Sequence, residues 1–252
     1  MSGYWLALDT ATDVASVAVG RGGEGGSRPV GPPQAGSHVQ GARRHAAEII
    51  RLIDFALGRV GIRSAELDGI VVGDGPGSFT GLRIGWAAAK GLAQEAGLDV
   101  VAVPSLVAAA AAASLPLGPV PIAACFDALR GQVYGAQYVI HPDRVETLVA
   151  PAVLTIADLA SAAPAIPRLV VGDGATRYRE AVVEWCGTAP VPLEALPPTA
   201  TLLLSLRSRA GAGRAIEDLT TAEPTYGRPA EAQARWEARH GRPLPDSPRP
   251  SR

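Results

Sequence analysis

Short apolar runs that stop at an acidic or glycine-containing turn recur along this chain, and their order predicts its architecture. Tyr4 to Leu8 reads as a strand ending in Asp9-Thr10-Ala11-Thr12-Asp13, and Val14 to Val19 reads as the returning strand of a β-hairpin. Gly69-Ile70-Val71-Val72 and Val100 to Val103 are β-branched runs of the kind that form buried parallel strands. Between them, Leu82 to Ala96 is an apolar, alanine-rich segment that reads as a helix. Ala42 to Leu57 carries the clearest helical periodicity. At about 100° per residue, Ala46, Ile49, Ile50, Leu52, Ile53, Ala56 and Leu57 cover an arc of roughly 160°. Ile49 and Ile53 fall near its centre, Ile50 and Leu52 at its two margins, and Phe55 outside it. An arc that wide suits a helix packed on two sides, against its own core and a second chain, or one buried deep in its own domain.

The opening pattern returns later in the chain. Ile122 to Phe126 ends in Asp127, a short polar turn follows, and Gln132 to Ile140 reads as the returning strand. Leu169-Val170-Val171-Gly172-Asp173-Gly174 then echoes Ile70-Val71-Val72-Gly73-Asp74-Gly75. Two strand-Asp-hairpin units, each followed by a Val-Val-Gly-Asp-Gly turn in the same order, predict a duplicated α/β lobe. Ser105 is placed to cap a helix over Leu106 to Ala113, Thr155 with Asp158 to start another as a capping box, and Thr201 to Arg209 reads as a third. The resulting division is residues 1–104, 105–222 and an irregular, largely disordered tail 223–252. Arg21 to Gly41, rich in glycine and proline, is expected to be a mobile loop. Glu231 to Arg239 has the composition of a charged helix.

The candidate chemistry centres on Gly73 to Gly85, GDGPGSFTGLRIG, which lies between a strand and a helix. That placement can aim free backbone N–H groups at an anion. Ser78 and Thr80 can cap the helix, and Gly75 and Gly77 allow a turn that a Cβ would obstruct. The established phosphate and nucleophile templates each fail on a required residue. No lysine follows the glycines until Lys90, Ser78 stands where a dinucleotide fingerprint needs glycine, and Pro76 and Thr80 stand where a nucleophile elbow needs glycine. A structural tight turn and a nucleotide cradle both remain open readings. Asp9, Thr10 and Thr12 line the first hairpin's tip, where turn chemistry and a phosphate- or metal-facing role are the alternatives.

Composition narrows the field. A chain of 252 residues with a net charge of −1 has no general attraction for nucleic acid or an anionic membrane. Cys125 and Cys186 have no metal-ligand spacing, and His38 and His45 form no metal-binding pair, so no metal site is expected. Tyr4 to Leu8 lacks the basic flank of a signal peptide, and Val107 to Ala113 is too short to span a bilayer. A soluble cytoplasmic protein is expected.

Taken together, LALDTATDVASVAV, RRHAAEII, VVGDGPGSFTGLRIG, AAAKGLA, DALRGQVY, VVGDGA and, near the end, PTYGRP resemble the TsaB family, in the same order. The resemblance covers roughly residues 4 to 186. It implies an actin-like (ASKHA, ribonuclease H-like) α/β fold of two related lobes, with mixed sheets and flanking helices. It also implies a role as the non-catalytic partner of TsaD in making threonylcarbamoyladenosine on tRNA, with the ATPase TsaE joining the complex and tRNA contacted only indirectly. The pairing helices would be Arg43 to Leu57 and Leu82 to Ala96, giving His45, Ile50, Leu52, Leu82, Trp86 and Lys90 as interface candidates. A homodimer is the alternative assembly for the chain alone. Asp9, Thr10, Thr12, Gly75, Gly77 and Ser78 are the candidates for nucleotide binding, with ATP or ADP and Mg placed at the interface of the complex and no cofactor intrinsic to the chain. The competing reading is an active ASKHA-type nucleotide hydrolase or glycopeptidase. Leu129 replaces an arginine common at the Asp127 hairpin, no fused acetyltransferase domain is expected, and the glycine-rich stretch stands where the family has a third strand, which predicts a shortened first sheet.

Overall fold

The computed structural model describes residues 3–21, 35–40, 45–196, 199–227 and 239–240. Along β1 (Tyr4–Asp9), Leu6 and Leu8 join one core while Ala7 joins another, the two-residue alternation of a strand covered on both faces. β1 pairs antiparallel with β2 (Val14–Arg21) and parallel with β4 (Leu67–Gly73), which pairs parallel with β5 (Asp99–Val103). β3 (Ala35–Gln40) continues the sheet beyond β2, and β10 (Arg214–Ala215) closes the opposite edge against β5. The second sheet runs β8-β7-β6-β9, from β6 (Pro121–Asp127), β7 (Val133–Ile140), β8 (Val145–Leu154) and β9 (Leu169–Val171). Its order repeats β3-β2-β1-β4 of the first sheet strand for strand, including the parallel pairing of β6 with β9. The duplication expected from the repeated Gly-Asp-Gly turn is therefore built into the topology.

Helices α1 (His45–Val60) and α2 (Phe79–Ala96) cover the outer face of the first sheet, where Leu6, Leu8, Ile70 and Val72 meet Ile49, Ile53 and Trp86. On the inner face, Ala7 and Val71 share one core with α3 (Ser105–Ser114), α7 (Ala200–Leu206) and the Ile122, Ala124 and Phe126 side of β6. The far face of the second sheet, with Ala123, Cys125 and Val170, is covered by α4 (Ile156–Ala162), α5 (Asp173–Arg177) and α6 (Arg179–Cys186). The layers thus run helix, sheet, helix, sheet, helix. All ten residues of α3 are buried, because this helix packs on the second sheet and against α7, which itself covers the first sheet, and so it needs no polar face. Among the described residues no helix is long and apolar enough to cross a membrane.

Several expectations change. Residues 35–40 form β3 rather than part of a mobile loop, so the first sheet is not shortened on that side. Ala35-Gly36-Ser37-His38-Val39-Gln40 has little apolar character, and its six-residue pairing with β2 is what makes it a strand. Residues 22–34 lie outside the described ones. α2 begins three residues earlier than expected, with Ser78 accepting from the Gly81 N–H as its cap and Thr80 inside the helix. Ser105 is the first residue of α3 rather than its cap. Thr155 and Asp158 form the expected capping box. β8 went unforeseen because its burial pattern does not alternate cleanly. The expected charged helix over 231–239 lies almost wholly outside the described residues.

Candidate functional site

The GDGPGSFTGLRIG segment and the first hairpin's tip are brought into direct contact. Gly77, Gly81 and Gly85 recur every four residues, and so fall on nearly one line along the start of α2. A Cβ on Gly77 would run into the Ala11 carbonyl, one on Gly81 into the Thr10 carbonyl, and one on Gly85 into the Thr10 hydroxyl. The tip Thr10-Ala11 therefore lies directly on the helix. Two cross-links fix it: the Ser78 N–H donates to the Ala11 carbonyl at 2.7 Å, and the Thr10 hydroxyl to the Gly81 carbonyl at 2.7 Å. The Thr12 hydroxyl accepts from the Val14 N–H at 3.2 Å and bends the tip. Of the residues read from sequence as candidates for a nucleotide, Thr10, Gly77 and Ser78 are engaged in this contact, and Thr12 bonds within its own turn.

Asp9 is wholly buried behind this contact. Its Oδ1 accepts from the Ala11 N–H at 2.9 Å and, more weakly, from the Ser105 hydroxyl at 3.4 Å, which sets the carboxyl at the N-terminus of α3. Among the described residues its Oδ2 has no hydrogen-bond partner. Burial outweighs these hydrogen bonds and pushes the carboxyl up to about 6 from 3.8. The folded chain then holds a proton that the unfolded chain has released, so stability falls as pH rises from about 4 to about 6. The shift corresponds to about 3 kcal/mol. Burial raises the Asp74 and Asp173 carboxyls too, and they contribute in the same direction. Asp9→Asn is expected to flatten the profile. Denaturant melts between pH 4 and pH 7 should show wild type losing about 3 kcal/mol more than the variant; parallel profiles would refute the assignment.

Asp74, 4% exposed, anchors a second set of contacts. Arg214 on β10 grips both its oxygens, at 3.2 and 3.0 Å, as a bidentate fork. Thr225 donates its N–H to the Asp74 carbonyl at 2.8 Å and its hydroxyl to Oδ2 at 3.1 Å. Gly75, at φ 88°, lies so close that a Cβ would sit 2.6 Å from the Thr225 carbonyl. The chain then places Tyr226 against Phe79, with ring centroids 4.8 Å apart, and Arg83 lies over the Phe79 ring at 4.1 Å while its Nε donates to the Tyr226 hydroxyl at 3.1 Å. Arg214, Thr225, Arg83 and Tyr226 were missed from sequence. Asp74 lies 140 residues from Arg214 and 151 from Thr225, and only the PTYGRP resemblance pointed there. Residues 223–227 are irregular as expected, but they are docked rather than disordered.

The second lobe's hairpin repeats the turn chemistry. Asp127 accepts from the Leu129 N–H at 3.0 Å, as Asp9 does from Ala11, and pairs with Arg177 at 3.4 Å. The two aspartates each serve their own turn. Among the described residues, no group of three or more His, Cys, Asp or Glu could hold a metal ion.

The interface candidates are distributed unevenly. Ile50 on α1 is 54% exposed. Leu52 and Trp86 are buried in the core beneath α1 and α2, and Trp86 donates its indole N–H to the Gly73 carbonyl at 3.1 Å. Leu82 is buried where a Cβ on Gly75 would meet it, so these three belong to the lobe itself. Lys90 is half-buried, and His45 starts α1 with its side chain outside the described ones. Residues presented outward include Ile50, Arg51, Asp54 and Phe55 on α1, and Thr80, Arg83, Ala87 and Gly91 on α2.

Two lobes of the same strand order, each opened by an Asp-tipped hairpin and joined through a shared central layer, define an actin-like α/β protein. A profile of the family described as TsaD, tRNA N6-adenosine threonylcarbamoyltransferase, matches residues 39–184. The tRNA threonylcarbamoyladenosine biosynthesis protein TsaB of Bacillus subtilis is 30% identical over 198 residues, which cover 77% of this chain and 84% of that protein. The Escherichia coli TsaB is 31% identical over 156 residues, 59% of this chain and 63% of that protein. For Haemophilus influenzae TsaB, at 36% identity, the matched stretch spans 53% of each chain. The solved structure of YeaZ from Pseudomonas aeruginosa superposes with a TM-score of 0.70 at 31% identity, covering 90% of this chain and all of that one. This chain belongs to the TsaB family.

Proposed function

We propose that this chain is the non-catalytic partner of TsaD in the biosynthesis of threonylcarbamoyladenosine on tRNA, acting in the cytoplasm and pairing through the outer faces of α1 and α2. The observation that carries this reading is the contact between hairpin tip and glycine stripe. Thr10 Oγ1, the Ser78 N–H and the Gly81 N–H, groups that could approach a phosphate, are each hydrogen-bonded within the lobe. Membership of a family whose named relatives are biosynthesis proteins for this modified nucleoside supports the pathway. A nucleotide with Mg then belongs to the assembled complex, between subunits, with TsaE joining the pair. The competing hydrolase or glycopeptidase reading needs acid and base groups converging in the crevice, whereas Asp9 and Asp127 are each held in their own turn.

The experiment is a reconstitution read in two ways. ATP turnover is expected to be absent from the isolated chain, and tRNA modification by TsaD and TsaE is expected to require its addition. ATP turnover by the chain alone, lost in a folded Asp9→Ala variant, would establish the enzyme reading instead.

A further inference from the structure

The GDGPGSFTGLRIG segment is held from the inside by the hairpin tip and from the outside by residues 223–227, which follow β10 along the chain. Three kinds of contact hold this outer strap. Arg214 donates from Nη2 both to Asp74 Oδ1 at 3.0 Å and to the Glu223 carbonyl at 3.1 Å, so one guanidinium ties the strap's first residue to the loop. Pro224 is buried, and Thr225 makes two hydrogen bonds to Asp74. Gly227, at φ 71°, bridges to the other lobe, since a Cβ there would sit 2.5 Å from the Tyr134 ring of β7 and 3.0 Å from Pro76.

Tyr226 gives the strap its position relative to a partner. Its ring packs on the Phe79 ring, with centroids 4.8 Å apart, and the Arg83 guanidinium lies against the pair, 4.1 Å from the Phe79 centroid and 5.6 Å from that of Tyr226. Arg83 lies on the outward stripe of α2, with Thr80 and Ala87. Without Tyr226, Arg83 would lose the acceptor for its Nε and Phe79 its ring neighbour, and a long side chain would regain rotamer freedom.

We infer that residues 223–227 form a positioning strap for the docking helix. By closing on Asp74, packing Tyr226 on Phe79 and accepting from Arg83, the strap orders the loop and the first turns of α2, so that a partner meets a preformed surface. The inference rests on the proposed pairing with TsaD for its partner, but the ordering itself is a property of this chain alone. Ordering in advance removes part of the entropy that association would otherwise cost.

The test uses the full chain and the variants Tyr226→Ala, Tyr226→Phe and Arg214→Lys. Hydrogen exchange of the isolated proteins is expected to speed up across residues 74–83 in Tyr226→Ala and Arg214→Lys, and to speed up less in Tyr226→Phe, which keeps the ring on Phe79 but loses the acceptor for Arg83. Affinity for TsaD is expected to fall about tenfold in the first two and little in the third. Unchanged exchange over 74–83 in Tyr226→Ala and Arg214→Lys overturns the strap. Faster exchange with wild-type affinity overturns its role in docking. If wild type itself does not bind TsaD, the proposed function fails, and the exchange measurement still decides the strap.

Discussion

Ile50→Glu is expected to leave the chain folded and to weaken its pairing with TsaD about a hundredfold, so that the two proteins no longer co-elute and tRNA modification stops. Ile50 is 54% exposed on α1, so a carboxylate there remains hydrated in the isolated chain. In the complex the same carboxylate would be taken from water without a partner, which costs several kcal/mol. Each 1.4 kcal/mol is tenfold in affinity, so even about 3 kcal/mol gives the hundredfold loss. Leu52→Glu is the contrasting variant: Leu52 lies in the core beneath α1, and its replacement should unfold the lobe rather than spare it. Retained pairing by a folded Ile50→Glu protein would place the interface elsewhere.

Gly81→Ala is expected to destabilise the chain by about 1–3 kcal/mol, lowering Tm by roughly 3–10 °C. The direction is informative, because alanine in place of a helical glycine ordinarily gains up to about 1 kcal/mol. At Gly81 the new methyl would run into the Thr10 carbonyl, and a backbone atom cannot move aside as a side chain can. Gly91, on the same helix with nothing within 4 Å of an added Cβ, should show the ordinary gain. Thermal melts of the two single variants make the comparison. A stabilised Gly81→Ala protein would mean that the hairpin tip does not rest on the helix.

These two helices also show what the sequence could and could not convey. Periodicity located α1 and α2 and set Ile49 and Ile53 in the core, because burial of a repeating apolar arc is a local property of the chain. The same arc could not separate Ile50 from Leu52: both stand at its margins, and which margin is exposed depends on where the neighbouring sheet and α2 lie. β3 was illegible for a related reason, since its strand character comes from β2 rather than from its own residues. The glycines of the organising loop were conspicuous, but their partners were hidden. Thr10 and Ala11 lie about 70 residues upstream of the loop, and Arg214 and Thr225 140 and 151 residues beyond Asp74. A motif selected for backbone contact therefore reads, in one dimension, much like one selected for phosphate.

The alanines of α3 have a mechanical consequence. From Ala108 to Ala113 every side chain of α3 is a single methyl group, and all six are buried. Clamshell motion, in which two lobes swing about a hinge to grip and release a substrate, needs a slippery or hydrated plane between them. Here the corresponding plane is an apolar layer in which residues of both lobes share one core, and packed interiors deform little. The approach of α3 to the second sheet is set by the size of a methyl group, so a larger residue in that run would push the helix off the sheet rather than alter any chemistry. A protein built this way transmits force and orientation as one stiff body, and the outer faces of α1 and α2 are carried on it as on a fixed bracket.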